Sequence, residues 1–293
     1  MQFSGSYVAL VTPWTKDLSA IDFGALKDLI DWHVESGTDG ILPAGTTGES
    51  ATLTHAEQME LVTRTVELVN GRCKVLAGAG SNSTNESILL AKHAKTAGAD
   101  SILVITPYYN RPTPEGLFRH FGAVAEACDL PTMIYNVPPR TGTNIMPETV
   151  VRINKAYPNV SAIKEASGVV DQSSQIIANS SMDVLSGDDS LALPIMAVGG
   201  RGVVSVIANI APAETAAMCR AALAGDYQKA RELHHKLMPI MKACFVETNP
   251  APVKTALEIM GRCSGAMRLP MVGLLPESLK VLEAAIRKVG LVK

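Results

Sequence analysis

Short apolar runs alternate with amphipathic helical segments along most of the chain. Eight of these runs have the length and the β-branched content of strands, at positions 7–11, 40–44, 74–77, 101–105, 132–135, 160–164, 183–185 and 203–206. Their first positions lie between 20 (183 to 203) and 34 (40 to 74) residues apart, which leaves room for a helix after each strand. Eight strand–helix units in succession predict an α/β protein with a parallel sheet closed into a (β/α)8 TIM barrel.

The helical segments between the predicted strands carry recognisable start signals. Thr54 and Glu57 have the spacing of a capping box, in which each side chain bonds the other residue's backbone N–H. Ser83 and Glu86 repeat this spacing, and Pro114 stands where a first helical position is expected. These signals separate the predicted helices from the strands that precede them.

The C-terminal part of the chain has helical patterns and no predicted strand. Its three segments, 226–246, 252–260 and 276–289, follow the barrel without a flexible linker. We therefore expect residues 1–224 to form the barrel and residues 225–293 to form a helical extension packed against it.

Composition and charge exclude several classes of protein. Lys and Arg total 26 against 28 Asp and Glu, so the net charge of −2 lacks the basic excess that nucleic-acid binding requires. Apolar runs fall short of the ~20 residues of a membrane-spanning helix, and the first residues lack the pattern of a signal peptide. The five cysteines are scattered, without a C-x-x-C pair. We expect a cytoplasmic protein that has neither a disulfide framework nor a metal site.

Polar residues at the carboxyl ends of the predicted strands are the candidates for catalysis, because the active sites of TIM barrels lie there. Lys164 shares one face of its strand with Ala162 and would enter the barrel mouth. Burial lowers the pKa of a lysine, and the freed amine can form a Schiff base with a carbonyl compound. The alternatives are a lysine whose amine reaches water and one that pairs with Glu165.

Residues near Lys164 could take part in such chemistry. Tyr135 ends the preceding strand, and its phenol could move a proton at an imine, although a buried structural tyrosine fits the same position. Arg140 follows in a loop with two prolines, where its guanidinium could bind a substrate carboxylate or form a surface ion pair. The turn 45–49 offers hydroxyls and backbone N–H groups that suit a small carboxylate. The glycine-rich stretch 199–202 precedes the last strand and is expected to be structural.

Six stretches, spread in order over nearly the whole chain, resemble motifs of the dihydrodipicolinate synthase family. These stretches are residues 45–50, 106–110, 135–142, 163–166, 186–189 and 249–254. The family belongs to the pyruvate-dependent class I aldolases, a superfamily that includes N-acetylneuraminate lyase. The resemblance implies a lyase in which Lys164 forms a Schiff base with pyruvate.

The resemblance also implies roles for the residues that match the family's motifs. Tyr135 matches the general acid and base at the imine, and Thr46 and Tyr109 match its partners in a proton relay. In the family, the residue that matches Tyr109 reaches in from a neighbouring subunit of a homotetramer, which is a dimer of dimers. The family needs neither a metal nor an organic cofactor.

Three further residues match positions that contact the substrates. Thr47 matches the threonine that holds the pyruvate carboxylate, and Arg140 matches the arginine that receives the carboxylate of L-aspartate 4-semialdehyde. Val204 stands where the family has a backbone carbonyl near the lysine amine. The implied product is 4-hydroxy-tetrahydrodipicolinate, at the entry step of diaminopimelate and lysine biosynthesis.

Some members of the family are inhibited by lysine, and most of their inhibitor site has a counterpart in this sequence. The matching residues are Ser50, Ala51, His55, Asn82, Glu86 and Tyr108. A second histidine of the inhibited members is replaced by Gln58, one turn after His55. Because an amide cannot acquire a positive charge, we expect lysine to inhibit this protein weakly or not at all.

Two other functions remain open at this level. A sister lyase that cleaves N-acetylneuraminate or a 2-keto-3-deoxy sugar acid would share Lys164 and Tyr135, but such relatives generally lack an arginine at position 140. A non-catalytic barrel would be expected to have lost part of the constellation, because a fold alone does not determine function.

Overall fold

Eight parallel strands form a closed barrel in the computed structural model, which describes residues 2–292. The strands are β1 (Gly5–Ala9), β2 (Gly40–Leu42), β3 (Lys74–Gly78), β4 (Ser101–Ile105), β5 (Thr132–Asn136), β6 (Val160–Glu165), β7 (Asp183–Ser186) and β8 (Gly202–Ser205). Each strand pairs with the next, and β8 closes the barrel by pairing with β1. The predicted TIM barrel is confirmed.

Helices follow the strands and continue beyond the last one. They are α1 (Phe23–Glu35), α2 (His55–Val69), α3 (Thr84–Ala97), α4 (Pro114–Ala127), α5 (Pro138–Thr141), α6 (Pro147–Ala156), α7 (Val170–Asn179), α8 (Ala192–Ala197), α9 (Pro212–Leu223), α10 (Tyr227–Ala243), α11 (Ala251–Ile259) and α12 (Pro276–Val289). The predicted capping box at the start of α2 is present: Thr54 Oγ1 accepts from the Glu57 N–H, and the Glu57 carboxylate accepts from the Thr54 N–H. Local sequence signals therefore determine where these helices begin.

β4 has its predicted bounds, and each of the other seven strands differs from its predicted bounds by one or two residues at one or both ends. β1 begins and ends two residues earlier than predicted, and β2 stops short of Ala44 because that residue has a left-handed backbone with φ of 53°. β8 ends before Val206, whose backbone is helical and whose N–H donates to the Asp189 carboxylate at 3.0 Å. In both cases a turn at the barrel mouth, and not the apolar pattern, ends the strand.

Apolar side chains fill two separate cores. One core lies inside the barrel and includes Phe3, Tyr7, Leu42, Leu76, Leu103, Met133, Leu185 and Val204. The larger core lies between the strands and the surrounding helices. Since successive residues of a strand face opposite sides of the sheet, each strand supplies both cores in alternation.

The three C-terminal helices pack on the barrel and on each other. α10 lies against α9 and α12, and α11 contacts α12. Lys254 of α11 is fully buried, and its Nζ lies 2.6 Å from Oε1 of Glu49 in the turn after β2. Within residues 2–292, no helix is both long enough and apolar enough to cross a membrane.

Candidate active site

Lys164 lies near the carboxyl end of β6 with its side chain inside the barrel. Its side chain shares the inner face with Ala162, and only 4% of the residue is exposed. Within residues 2–292, no carboxylate lies within 4.0 Å of its Nζ. Glu165 faces the other side of the sheet, where its carboxylate accepts hydrogen bonds from Asn136, Gln172 and the Ser167 N–H. Pairing of Lys164 with Glu165, one of the two alternatives, therefore does not occur.

The surroundings of Lys164 favour its neutral amine. Burial lowers its pKa to about 8, and the guanidinium of Arg140 acts in the same direction. The carboxylate of Asp189 opposes them. Burial in turn raises the pKa of Asp189 to about 6, against hydrogen bonds from the Ser205 hydroxyl and the backbone. A buried lysine without a carboxylate partner is suited to nucleophilic attack on a carbonyl.

Tyr135 is an aromatic neighbour of this amine. It lies opposite Lys164 in the pairing of β5 with β6, and its ring centre is 4.3 Å from Lys164 Nζ. Burial raises the pKa of the Tyr135 phenol, while the charge of Arg140 and a hydrogen bond with Thr46 lower it. The phenol therefore stays protonated near neutral pH and is placed to donate or accept a proton beside the amine.

A cavity of about 610 Å³ opens above Lys164 and Tyr135. Its lining comes from the barrel mouth and from the segment that precedes α11. The lining residues include Thr46, Thr47, Tyr135, Arg140, Lys164, Gly187, Asp188, Phe245, Glu247, Thr248 and Asn249. The cavity thus brings together five of the predicted site residues, namely Lys164, Tyr135, Thr46, Thr47 and Arg140.

Arg140 and Thr47 supply donors to this cavity. The Arg140 guanidinium donates to the Asn249 carbonyl at 3.3 Å, and within residues 2–292 it has no carboxylate within 4.0 Å. The side chain of Thr47 is buried and accepts a hydrogen bond from Asn249 Nδ2 at 3.0 Å. The predicted alternative of a surface ion pair for Arg140 therefore does not occur, and its charge is available to an anion.

Two predicted residues lie apart from the others. Tyr109 is 91% exposed, has a left-handed backbone with φ of 70° and does not line the cavity. Val204 is fully buried in the barrel interior, in register with Tyr7 of β1, and its side chain is not part of the lining. Their predicted roles remain predictions.

A second cavity, of about 330 Å³, lies on the other side of the turn after β2. Its lining contains six of the seven predicted lysine-site residues: Ser50, Ala51, His55, Gln58, Glu86 and Tyr108. Asn82 is not in the lining, and its carbonyl accepts from the Asn110 side chain. Gln58 is 5% exposed and donates to the Gly78 carbonyl at 3.0 Å, so its amide is already engaged. Thr46 and Arg140 line both cavities.

The sequence patterns assigned no role to three residues that shape the site. Asn249 bonds Thr47 and Arg140, and Asp189 holds the turn after β8 behind the lysine. A Cβ atom at Gly187 would lie 3.0 Å from the Lys164 Cε, so glycine keeps this side of the amine open. Gly187 and Asp189 fall within the motif stretch 186–189, and Asn249 falls within the stretch 249–254. In the described part of the chain, no group of three or more His, Cys, Asp or Glu residues is placed to hold a metal ion.

Comparison with known proteins places these features in a family. The model of the dihydrodipicolinate synthetase family matches residues 2–289. A 4-hydroxy-tetrahydrodipicolinate synthase of Methanocaldococcus jannaschii is 50% identical over 290 residues, which are 99% of this chain and all of that protein. The crystal structure of a chloride-inhibited dihydrodipicolinate synthase from Acinetobacter baumannii in complex with pyruvate is 42% identical, with a TM-score of 0.96 over 99% of both chains. A dihydrodipicolinate synthase from Cyanidioschyzon merolae with lysine bound is 40% identical, also with a TM-score of 0.96 over 99% of both chains.

Proposed function

The chain belongs to the dihydrodipicolinate synthetase family, and from this premise we propose that the cavity above Lys164 is where it condenses pyruvate with L-aspartate 4-semialdehyde. The enzyme is a lyase of diaminopimelate and lysine biosynthesis, and its product is 4-hydroxy-tetrahydrodipicolinate. The observation that carries the assignment of the site is a buried lysine amine that no carboxylate of residues 2–292 pairs with, next to a buried phenol.

The first step forms a covalent bond between Lys164 and pyruvate. The neutral amine attacks the ketone carbon, and the resulting carbinolamine loses water to give an imine. Tyr135, whose ring centre lies 4.3 Å from the amine, donates the proton that the departing hydroxyl needs. Thr46, which lines the same cavity, passes protons to and from the Tyr135 phenol.

The second step uses the nucleophilic carbon of the bound pyruvate. Loss of a methyl proton converts the imine to an enamine, which attacks the aldehyde carbon of aspartate semialdehyde. The guanidinium of Arg140 binds the carboxylate of this second substrate, because it lines the same cavity and has no carboxylate partner within residues 2–292. The amine of the adduct then displaces Lys164 from the imine carbon, which closes the ring and frees the lysine.

The remaining assignments concern the assembly and the location of the enzyme. We propose that Tyr109, which is 91% exposed here, enters the site of a neighbouring subunit and completes the proton relay in a homotetramer. Sedimentation velocity of the wild type and of Tyr109→Phe would separate assembly from catalysis, since the variant should keep the same mass and lose activity. A cytoplasmic location is part of the same proposal.

A coupled assay tests the substrate assignment. Purified enzyme is supplied with pyruvate plus aspartate semialdehyde, and in parallel with pyruvate plus N-acetylmannosamine. We expect turnover of the first pair alone, because the Arg140 guanidinium, which has no carboxylate partner within residues 2–292, suits a carboxylate and not a sugar hydroxyl. Turnover of the second pair at a comparable rate would instead assign the chain to the sugar-acid lyases.

Lys164→Arg tests the nucleophile in the same assay. A guanidinium remains protonated and cannot attack a carbonyl, so turnover should be lost while the fold is retained. Lys16→Arg, at a position outside the cavity lining, is the control and should keep wild-type turnover. Turnover by Lys164→Arg would mean that another group forms the covalent intermediate.

A further inference from the structure

Asn249 contacts both Thr47 and Arg140, the two residues that bind substrate carboxylates in the proposed mechanism. Asn249 is 4% exposed and lies just before α11, in the C-terminal part of the chain. Its side-chain Nδ2 donates to Thr47 Oγ1 at 3.0 Å, and its backbone carbonyl accepts from the Arg140 guanidinium at 3.3 Å. One residue thus contacts both groups, through two different atoms.

The direction of the bond to Thr47 determines what the threonine can do. A hydroxyl has one proton and two lone pairs. Because Thr47 Oγ1 accepts from Asn249, its proton is not consumed by that bond, and in the described part of the chain it is given to no other acceptor. The side-chain carbonyl of Asn249 is buried, and no donor of residues 2–292 bonds it. The Asn249 amide therefore directs its NH2 group to Thr47. This orientation leaves its own buried oxygen without a donor among the described residues, which costs stability.

We propose that Asn249 is a positioning residue for pyruvate, which orients the Thr47 hydroxyl so that its proton points into the cavity toward the pyruvate carboxylate. An acceptor in place of Nδ2 would take that proton and turn the lone pairs of Thr47 toward the substrate anion. This inference rests on the proposed function, since it assumes that pyruvate is the ligand above Lys164.

The C-terminal helical region holds Asn249 in place. Lys254, one turn into α11, bonds Glu49 at 2.6 Å and the carbonyls of Thr12 and Ala266 at 3.0 and 2.6 Å. Glu49 belongs to the same turn as Thr47, so the ion pair and the Asn249 amide join α11 to this turn at two points. The C-terminal helices therefore contribute a wall of the site and set the hydroxyl that faces the substrate.

A double-mutant cycle tests whether Asn249 acts through Thr47. Steady-state kinetics are measured for the wild type, Asn249→Ala, Thr47→Ala and the double variant. Loss of one hydrogen bond should raise the KM for pyruvate about 3- to 10-fold in Asn249→Ala, with kcat changed less than about twofold. In the Thr47→Ala background, Asn249→Ala should change the KM for pyruvate by less than about twofold. An equal factor in both backgrounds would overturn the proposal.

The second substrate provides an internal control. Asn249→Ala keeps the backbone carbonyl that accepts from Arg140, so the KM for aspartate semialdehyde should stay within about twofold of the wild-type value. A parallel rise of both KM values would mean that the variant disturbs the whole cavity, and this result would also overturn the proposal. A wild-type enzyme that does not convert the two substrates would instead refute the proposed function.

Asn249→Asp reverses the hydrogen bond without changing the size of the side chain, and it tests the proposal even if Asn249→Ala fails to fold. The carboxylate takes the Thr47 proton and places a negative charge near the substrate anion, so the KM for pyruvate should rise more than tenfold. The ratio of this KM to the wild-type KM should fall as the pH is lowered, because a protonated carboxyl can donate to Thr47 again. Asn179→Asp adds the same charge at an exposed position of α7 and should leave the ratio near one at every pH. A wild-type KM for Asn249→Asp, or a ratio independent of pH, would contradict the proposal.

Discussion

In the proposed mechanism the neutral amine of Lys164 attacks the ketone of pyruvate, so the pKa of this amine should set the pH range in which the protein can be trapped with pyruvate. Burial lowers this pKa from 10.5 to about 8, because the charged form loses hydration inside the barrel. At pH 7 about one amine in ten is then neutral, against about one in three thousand for an ordinary lysine. The structure therefore predicts about 300 times more reactive amine at neutral pH.

The assay measures reductive trapping as a function of pH. The protein is incubated with pyruvate and cyanoborohydride between pH 6 and 10, and the pyruvyl adduct is located and quantified by peptide mass spectrometry. Relative to a lysine-containing reference peptide treated in parallel, trapping at Lys164 should be strongly favoured at pH 6 to 7. This advantage should shrink above about pH 8, where the Lys164 amine is already neutral.

Lys254 is a matched internal control for this experiment. It is also buried, but its amine is paired with Glu49 at 2.6 Å and it does not line the cavity. It should carry no adduct at any pH. An adduct on Lys254, or a Lys164 profile parallel to that of the reference peptide, would refute the argument from burial.

The variant Asp189→Asn tests how a neighbouring charge affects the pKa of Lys164. The Asp189 carboxylate raises the pKa of Lys164, so removing its charge should move the Lys164 profile to lower pH. A shift to higher pH would show that the carboxylate acts on the lysine in another way, for example by holding the turn after β8.

Further predictions concern the second substrate, lysine inhibition and stability. Arg140→Ala should lower kcat/KM for aspartate semialdehyde about ten- to a few hundredfold in steady-state kinetics while pyruvate trapping is retained, and equal losses would contradict the assignment. Lysine should inhibit the wild type weakly or not at all. Gln58→His should strengthen the inhibition about tenfold, because an imidazolium can bond the carboxylate of the lysine ligand. Potent sub-millimolar inhibition of the wild type would refute this reasoning. Lys254→Met should lower the free energy of unfolding by about 3–5 kcal/mol in urea titrations, because the buried Glu49 carboxylate keeps its hydrogen bonds from Trp14 and the Arg268 N–H but loses its cation, and Glu49→Gln in the same chain should restore part of it.

Much of the fold could be predicted from local patterns. Short apolar runs indicate the strands, and capping residues such as Thr54 indicate where helices begin, because both depend on neighbours within a few positions. The strand ends were less accurate, since turns at the mouth, such as the left-handed Ala44, end strands that the apolar pattern would continue. The order of the motif stretches led to the family without a structure.

Some features of the candidate site could likewise be predicted from local patterns, and others could not. Lys164 and Tyr135 could be predicted to meet, because they end neighbouring strands and alternation turns Lys164 inward while Glu165 turns outward. The position of the C-terminal helices on the barrel could not be predicted. The hydrogen bond between Asn249 and Thr47 joins residues 202 positions apart, and the ion pair of Lys254 with Glu49 spans 205 positions. No local pattern encodes such contacts: they form when separate elements pack, and their energies depend on burial that only the complete fold creates. The sequence by itself thus determined the barrel and the place of Lys164 at its mouth, whereas the tertiary structure decided that no carboxylate of residues 2–292 pairs with this lysine and that the C-terminal region shapes the pocket beside it.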